Sequence, residues 1–555
     1  MTTDKQILSS LTVEKPRFIS LIIIGVLIWY GSGLLLSHRL PTINIHIKQF
    51  ILTISWHDLI QLIITSSTLG IIYSAQRKAF LAQNQHTYHG SAQWADEKQV
   101  KATGLLSSKK GGVYLGVFQK KRQHYYLRHH DSEHILVFAP TRSGKGVGIV
   151  IPTLLGWHDS VLVHDIKGEN YYHTSGYRQN ILKQRIIKFD PTSQDSHRFN
   201  PLNEIRLGSE FETRDVQNIA TMIVDPDGRG LNDHWAKTGF DLLVGVILHV
   251  LYAETDKSLN RVQSLLSTPG KSIEQIMKDI QHTNHLGHSP HPLVAQSAQS
   301  FLNKAANEAS GVLSTALSFL SLYKDEVVAN NVRTSDFTIE SLMENPTTLY
   351  LVVPPSDKDR LKPLIRLIIN QVVRRLTEKM HFDETGLGRS QYPHRLLLLL
   401  DEFPSLGKLD IFQESLAFIA GYGLKALLII QDISQLHAAY GRDESIISNC
   451  HIRVAYAPNK IETAELLSKM LGNATLGQPQ QQFSGSRFAL MLNNTSKSTH
   501  FIGRPLLTAD EAMRLPPNRA LILVTGYAPI YAKKIQFYKE RLFATKLLPP
   551  VQLSR

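Results

Sequence analysis

The sequence predicts an α/β fold built on an open parallel sheet, with an inserted all-α domain and an N-terminal two-helix transmembrane anchor. Three observations carry this. Short unbroken apolar runs recur between residues 134 and 525, only helical patterns occupy about 205–340, and the first eighty residues hold two long apolar segments.

The runs are HILVFA (134–139), VLVHDI (161–166), RIIKF (185–189), TLYLVV (348–353), RLLLLLD (395–401), KALLII (425–430), IRVAY (452–456) and ALILVT (520–525). A strand covered on both faces has no reason to alternate apolar with polar residues, so such runs point to a parallel sheet with helices on both sides. Helical patterns between several of them complete a βαβ alternation. It stops where TGFDLLVGVILHVLYAE, SLNRVQSLLS and IEQIMKDIQ read as helices. The predicted organisation is 1–80 for the N-terminus and anchor, 81–204 for the first part of the sheet domain, 205–340 for the helical domain and 341–555 for the second part. Gln478 to Gln482 (QPQQQ), followed by FSGSR, reads as a mobile surface loop.

At 555 residues the chain can bury more than one core, and 43% hydrophobic with 19% charged residues excludes wholesale disorder, a collagen-like repeat or an all-helical channel. Sixty Lys+Arg against 47 Asp+Glu leave a net charge of +13, of which +11 lies beyond residue 74. The excess therefore belongs to the body of the protein and suits a polyanion partner, either nucleic acid or an acidic membrane surface. A single cysteine, Cys450, excludes an internal disulfide and fits a reducing compartment.

Phe18 to Leu36 is 19 residues without a charge. At about 1.5 Å per residue a helix there nearly spans a hydrocarbon core of about 30 Å. SHRLPTI follows, which is a poor cleavage site, so a retained helix is expected rather than a signal peptide. A second span is expected at about 51–74, interrupted by Trp56, His57 and Asp58, residues tolerated at a membrane interface. Lys5, Lys15 and Arg17 precede the first span and Arg77 and Lys78 follow the second, while the connection holds only Arg39 and Lys48. That bias predicts a two-pass topology with both termini and the main body in the cytoplasm.

After HILVFA comes Ala139-Pro-Thr141-Arg142-Ser143-Gly144-Lys145-Gly146-Val-Gly148 and then a helical pattern. Strand, glycine-containing loop, lysine and helix is the phosphate-binding arrangement: backbone N–H groups wrap phosphate, the lysine reaches the β- and γ-oxygens, and the helix N-terminus favours negative charge. The candidate nucleotide-binding residues are Thr141, Arg142, Ser143, Gly144, Lys145 and Gly146. Ala139 replaces the usual first glycine, and Gly146 the usual Ser/Thr, so the hydroxyl that normally ligates Mg²⁺ is missing. The strand RLLLLL ends in Asp401-Glu402, 256 residues beyond Lys145, a separation the helical insertion explains. Asp401 is the candidate Mg²⁺ ligand and Glu402 the candidate base for an attacking water. Gln431, at the tip of KALLII, is the candidate sensor of the γ-phosphate, with a helix-capping role as the alternative. Asp165 ends another strand and either acts near the nucleotide or a neighbouring subunit or is part of a structural ion pair.

Together these pieces resemble the TraG/VirD family of type IV secretion coupling proteins. The resemblance runs over most of the chain: HGSAQWADEKQVKATGLL (89–106), APTRSGKGVG (139–148), DIKGENYYHTSGYR (165–178), FNPL (199–202), LLDEFPSLGKL (399–409), QDISQL (431–436) and RPLLTADEAMRLP (504–516). In that family glycine often stands at the position of Gly146. The resemblance implies a RecA-like P-loop NTPase domain with an all-α domain, a bacterial inner-membrane location, ATP and Mg²⁺ as cofactors, ATP hydrolysis and a homo-hexamer. Its members bring a DNA–relaxase complex or protein effectors to inner-membrane components of a secretion channel, and an arginine from a neighbouring subunit completes each site. Arg453 is the candidate for that arginine; a surface or DNA-facing role is the alternative. DNA and protein cargo stay open as readings, because basic runs such as Lys120-Lys121-Arg122 suit nucleic acid and anionic lipid alike.

Three rival readings have less support in the sequence. An FtsK-like double-stranded DNA pump lacks support from a long linker or a separate C-terminal module. A non-hydrolysing docking receptor conflicts with the intact Lys145, Asp401, Glu402 and Gln431. A metal site at His282, His285, His288 and His291 lacks an accompanying carboxylate or cysteine cluster.

Overall fold

The computed structural model describes residues 42–47, 50–83, 88–107, 111–120, 123–386, 388–484 and 494–553. The expected first span, 18–36, lies outside them. The chain divides into two compact units, one of the N-terminal region with residues 475–502 and one of residues 90–474 with 503–555.

In the first unit, strands Thr42–Ile47 and Phe50–Ser55 pair antiparallel, and helix Trp56–Gln83 follows. The expected second span is thereby corrected. Residues 51–55 are strand, as the β-branched Ile51, Thr53 and Ile54 favour, and the helix starts only at Trp56. Gln478 to Gln480 and their neighbours are not a loop either; they belong to strand Asn473–Ser484, which pairs with Asn494–Pro505. Cross-strand backbone hydrogen bonds hold a polar strand as well as an apolar one.

The second unit is organised by an eleven-stranded sheet. Its strands, numbered along the chain, are β1 (Val113–Lys120), β2 (Gln123–His129), β3 (Ile135–Phe138), β4 (Ser160–Ile166), β5 (Arg185–Phe189), β6 (Thr347–Val353), β7 (Leu396–Leu400), β8 (Leu424–Ile430), β9 (Ile452–Ala455), β10 (Arg519–Val524) and β11 (Ile530–Lys533). They lie in the order β2-β1-β11-β10-β9-β3-β8-β7-β4-β6-β5. The block from β9 to β5 is parallel, as the apolar runs predict. The flank β10-β11-β1-β2 is antiparallel. The sheet is therefore mixed, and ALILVT is a correction: its composition matches the parallel strands, but strand direction depends on the connection that leads into it. Strand β1 (VYLGVFQK) carries an apolar run too, whereas in β2 (QHYYLRH) polar residues flank a core of only three apolar ones.

The five leucines of β7 show how the sheet is covered. Leu396, Leu398 and Leu400 enter one core, while Leu397 and Leu399 enter the other. The first core continues from the sheet into the helical region, through Val216, Leu243, Ile247 and Val294. Every element between β5 and β6 is helical. Helix His234–Ala253 alone among the described residues is long and apolar enough to cross a membrane, yet 67% of its most apolar 18-residue stretch is buried inside the fold, which makes it a core helix.

Candidate active site at the carboxyl edge of the sheet

Sheet order brings distant residues together. Between β3, which leads into the glycine loop, and β7, which ends at the two carboxylates, lies β8, which ends at Gln431. Phe138 pairs with Ile430, and Leu428 with Leu400, so the loops after β3, β8 and β7 leave from one edge. The crevice at such an edge is where open α/β sheets bind ligands.

Residues 139–145 turn tightly. Ala139 N–H donates to the Ile430 carbonyl at 2.8 Å, and Ser143 N–H to that of Pro140 at 3.1 Å. Arg142 (φ 61°) and Gly144 (φ 88°) both take left-handed conformations, which a single turn needs in order to point successive N–H groups inward. Helix α1 follows as a wide turn, Gly146–Val150, continued by Ile151–Leu154. Its two glycines differ in purpose. A Cβ on Gly146 would meet nothing within 4 Å, whereas a Cβ on Gly148 would stand 2.6 Å from the Tyr456 hydroxyl and 3.2 Å from the Ile535 carbonyl oxygen. Gly148 is there so that α1 can lie against Tyr456.

Lys145 Nζ lies 2.6 Å from Asp401 Oδ1 and 3.6 Å from Glu402 Oε1. Gln431 Nε2 donates to Glu402 Oε1 at 3.1 Å, and Thr141 Oγ1 donates to Gln431 Oε1 at 3.0 Å. Glu402 itself sits at φ 54°, a left-handed turn that swings its carboxylate back over the strand end. The structure thus brings Thr141, Lys145, Asp401, Glu402 and Gln431 into one contiguous set. Burial pushes the Glu402 carboxyl up, but Lys145, Lys358 and Gln431 outweigh it and hold it below the usual carboxylate range.

Three further residues belong to this edge and escaped sequence reading. Lys358 opens the helix Lys358–Leu376 and lies 3.5 Å from Glu402 Oε2. His164, buried on β4, donates from Nδ1 to the Asp401 carbonyl at 2.9 Å; burial lowers its pKa, so the ring stays neutral while fixing the strand end. Lys534 donates to the Ser143 carbonyl at 3.0 Å and stands 3.7 Å above the Tyr456 ring; burial pushes it down to about 8. The position of Lys358, just beyond the strand TLYLVV, was the one legible signal.

Other candidates fall elsewhere. Asp165 accepts from Asn170 N at 3.2 Å and Tyr171 N at 2.8 Å, so its carboxylate anchors the start of helix α2 (Glu169–Asn180). Arg453 is not brought to the cluster. It pairs with Leu136, two residues before the end of β3, and donates from Nη2 to the Ile447 carbonyl at 2.9 Å. Of the histidine run, His285 and His291 stay together: His291 N–H donates to His285 Nδ1 at 3.2 Å, His249 lies 2.9 Å from His285, and the Glu212 carboxylate, which the sequence did not place there, lies 2.9 Å from His291, while His282 turns to the Lys278 carbonyl at 2.8 Å.

A family model described as type IV secretory system conjugative DNA transfer matches residues 90–555. The chain belongs to this family of type IV secretion coupling proteins. Among its relatives in the family, the conjugal transfer protein TraG of Escherichia coli is 44% identical over 523 residues, covering 88% of this chain and 82% of the relative. The protein VirD4 of Agrobacterium fabrum (strain C58 / ATCC 33970) is 28% identical over 527 residues, covering 93% and 73%. The fold is that of the plasmid coupling protein TrwB. Its complex with the non-hydrolysable analogue ADPNP superposes with a TM-score of 0.58 at 20% identity, over 81% of this chain and 96% of TrwB. A TrwB complex with ADP and Mg²⁺ matches with a TM-score of 0.57 at 18% identity, over 81% and 94%.

Proposed function

We propose that this coupling protein is an inner-membrane ATPase that delivers a DNA–relaxase complex or protein effectors to a type IV secretion channel and powers their transfer by ATP hydrolysis. The observation that supports this most is the meeting of Lys145, Asp401, Glu402 and Gln431 from three strands at one sheet edge. In this reading the backbone of 141–146 and the Lys145 ammonium take the ATP phosphates. Asp401 would hold Mg²⁺: its carboxylate is aimed at the Lys145 cation, and it is the hard oxygen donor such an ion takes. When bound, Mg²⁺ supplies positive charge to the phosphate oxygens. Glu402, held ionised at neutral pH, accepts a proton from the attacking water. Gln431 bridges Glu402 to Thr141 on the glycine loop and so can report the γ-phosphate to the base. In a homo-hexamer, Arg453 would serve a neighbouring subunit's site; within its own chain its guanidinium turns to the Ile447 carbonyl and not to the carboxylates. The anchor in this reading is the uncharged run 18–36 together with helix Trp56–Gln83, whose apolar stretch Ile63–Ala75 is shorter than a full span.

The test is ATP turnover by the full chain reconstituted in phospholipid vesicles, with Lys145→Ala and Glu402→Gln beside it. Glu402→Gln is expected to keep ATP binding while turnover falls about 10²-fold or more. Undiminished turnover in that variant would remove Glu402 as the base. ATP binding without turnover in the unaltered chain would leave a docking receptor.

A further inference from the structure

The turn from β2 to β3 reads His129-His130-Asp131-Ser132-Glu133-His134, with imidazoles and carboxylates packed into six residues. It lies at the amino edge of the sheet, opposite the glycine loop, because β3 runs from Ile135 toward that loop. β2 is the outermost strand and β3 a central one, so the turn carries the chain from the antiparallel flank into the parallel block.

Neighbouring strands pin this turn. Lys425, buried at the start of β8, donates to the Asp131 carbonyl at 2.5 Å, and its Nζ lies 2.5 Å from His129 Nδ1. Arg395 donates to the His130 carbonyl at 2.6 Å and has Asp159 as its own carboxylate partner. Ala426 N–H donates to His134 Nδ1 at 3.0 Å. Lys425 thereby takes one side of the buried His129 ring and leaves Nε2 to face the carboxylates. Glu133 Oε2 stands 3.2 Å from that nitrogen. One donor atom each from His129, Asp131 and Glu133 lie within 4.8 Å of one another.

Two observations set this trio apart from an ordinary ion-pair cluster. Glu133 Oε2 is shielded from solvent and makes no hydrogen bond. Among the described residues, no lysine or arginine pairs with the side chain of Asp131 or Glu133. A shielded carboxylate oxygen without a donor is costly unless a cation meets it. Bonds of about 2.0–2.2 Å put two donors on one ion about 3–4 Å apart, the spacing that His129 and Glu133 already have. The Asp131 side chain is exposed and can swing in from solvent.

We propose that His129 Nε2, Glu133 and Asp131 bind a divalent transition-metal ion of the Zn²⁺ class, with water completing its shell, and that the ion fastens the β2–β3 turn at the foot of the strand that leads to the glycine loop. One imidazole with two carboxylates is a borderline-to-hard donor set, which suits such ions. The ion takes the place of the proton on Nε2, so binding releases a proton.

The experiment uses the full chain without an affinity tag, stripped with chelator and held in detergent without nucleotide or Mg²⁺. Co²⁺ is the probe, read by its visible absorption, and Zn²⁺ is read by displacing it. One Co²⁺ per chain is expected, released by Zn²⁺. Glu133→Gln and Asp131→Asn are each expected to weaken binding about tenfold or more, and His129→Ala to abolish it. Zn²⁺ is expected to raise the unfolding midpoint of the unaltered chain and not that of Glu133→Gln. Asp401→Asn and His288→Ala are expected to keep the Co²⁺ signal, which separates this site from the nucleotide edge and from the exposed histidine run. If His129→Ala fails to fold, the two carboxylate variants decide. No uptake of Co²⁺, binding undiminished in both carboxylate variants, or a signal lost in Asp401→Asn would each overturn the site.

Discussion

Gly148→Ala separates packing from flexibility in the glycine loop. Gly148 lies in a helical turn, where alanine is favoured over glycine by about 1 kcal/mol. Against that, the new Cβ would sit 2.6 Å from the hydroxyl of Tyr456, a residue only 1% exposed, and 3.2 Å from the backbone oxygen of Ile535. Overpacking of this kind costs about 1–3 kcal/mol, so the substitution is expected to come out destabilising by about 1 kcal/mol. The loop moves with α1, so the Michaelis constant for ATP is expected to rise as well. Tyr456→Phe removes the clashing oxygen and leaves the ring carbon 3.7 Å from the new Cβ, an ordinary contact. Gly148→Ala with Tyr456→Phe is therefore expected to recover most of the loss, with a coupling of about 1–2 kcal/mol. Gly146→Ala, with open space around its Cβ, is the control and is expected to leave stability unchanged or slightly raised. The assay is the thermal unfolding midpoint of the purified full chain, followed by ATP titration. A Gly148→Ala midpoint equal to that of the unaltered chain, or no recovery with Tyr456→Phe, would refute the packing account.

Two further predictions come from buried lysines. Lys534→Met removes the donor to the Ser143 carbonyl and is expected to raise the Michaelis constant for ATP several-fold at unchanged maximal turnover; a fall in turnover alone would count against a loop-positioning role. Lys425, buried on β8 between the Asp131 carbonyl and His129, is pushed down to about 7 by desolvation. Between that value and its ordinary pKa near 10.4 the unfolded chain binds the extra proton, so stability is expected to rise with pH across about 7 to 10. Unfolding midpoints of the unaltered chain and Lys425→Met at pH 7 and pH 9.5 check this: the difference must move in favour of the unaltered chain at the higher pH.

The parts of the site that the sequence reveals are those whose signal is local. Arg142-Ser143-Gly144-Lys145 after an apolar run, and Asp401-Glu402 after another, carry their chemistry in adjacent residues. Lys358, His164 and Lys534 carry no such signal, because a lysine or histidine near a strand is ordinary until something is seen to face it. Arg453 shows the converse: its place after Asn449-Cys450 on a sheet strand is right, yet the register with Leu136 sets it below the edge where the phosphates would lie.

By itself the sequence determined the eight apolar strands, the helical stretch between β5 and β6, and the loop-and-carboxylate pair, because burial on both faces and turn chemistry are written in short windows. Only the tertiary structure decided the rest. It set β8 between β3 and β7, so that Gln431 bridges Thr141 and Glu402, 261 positions apart. It turned the last apolar run antiparallel and gave Gly148 its reason in Tyr456. It also sorted the apolar helices, burying His234–Ala253 in a core. Hydropathy states that a segment must leave water. What covers it depends on contacts between residues far apart in the chain, and those exist only once the chain has folded.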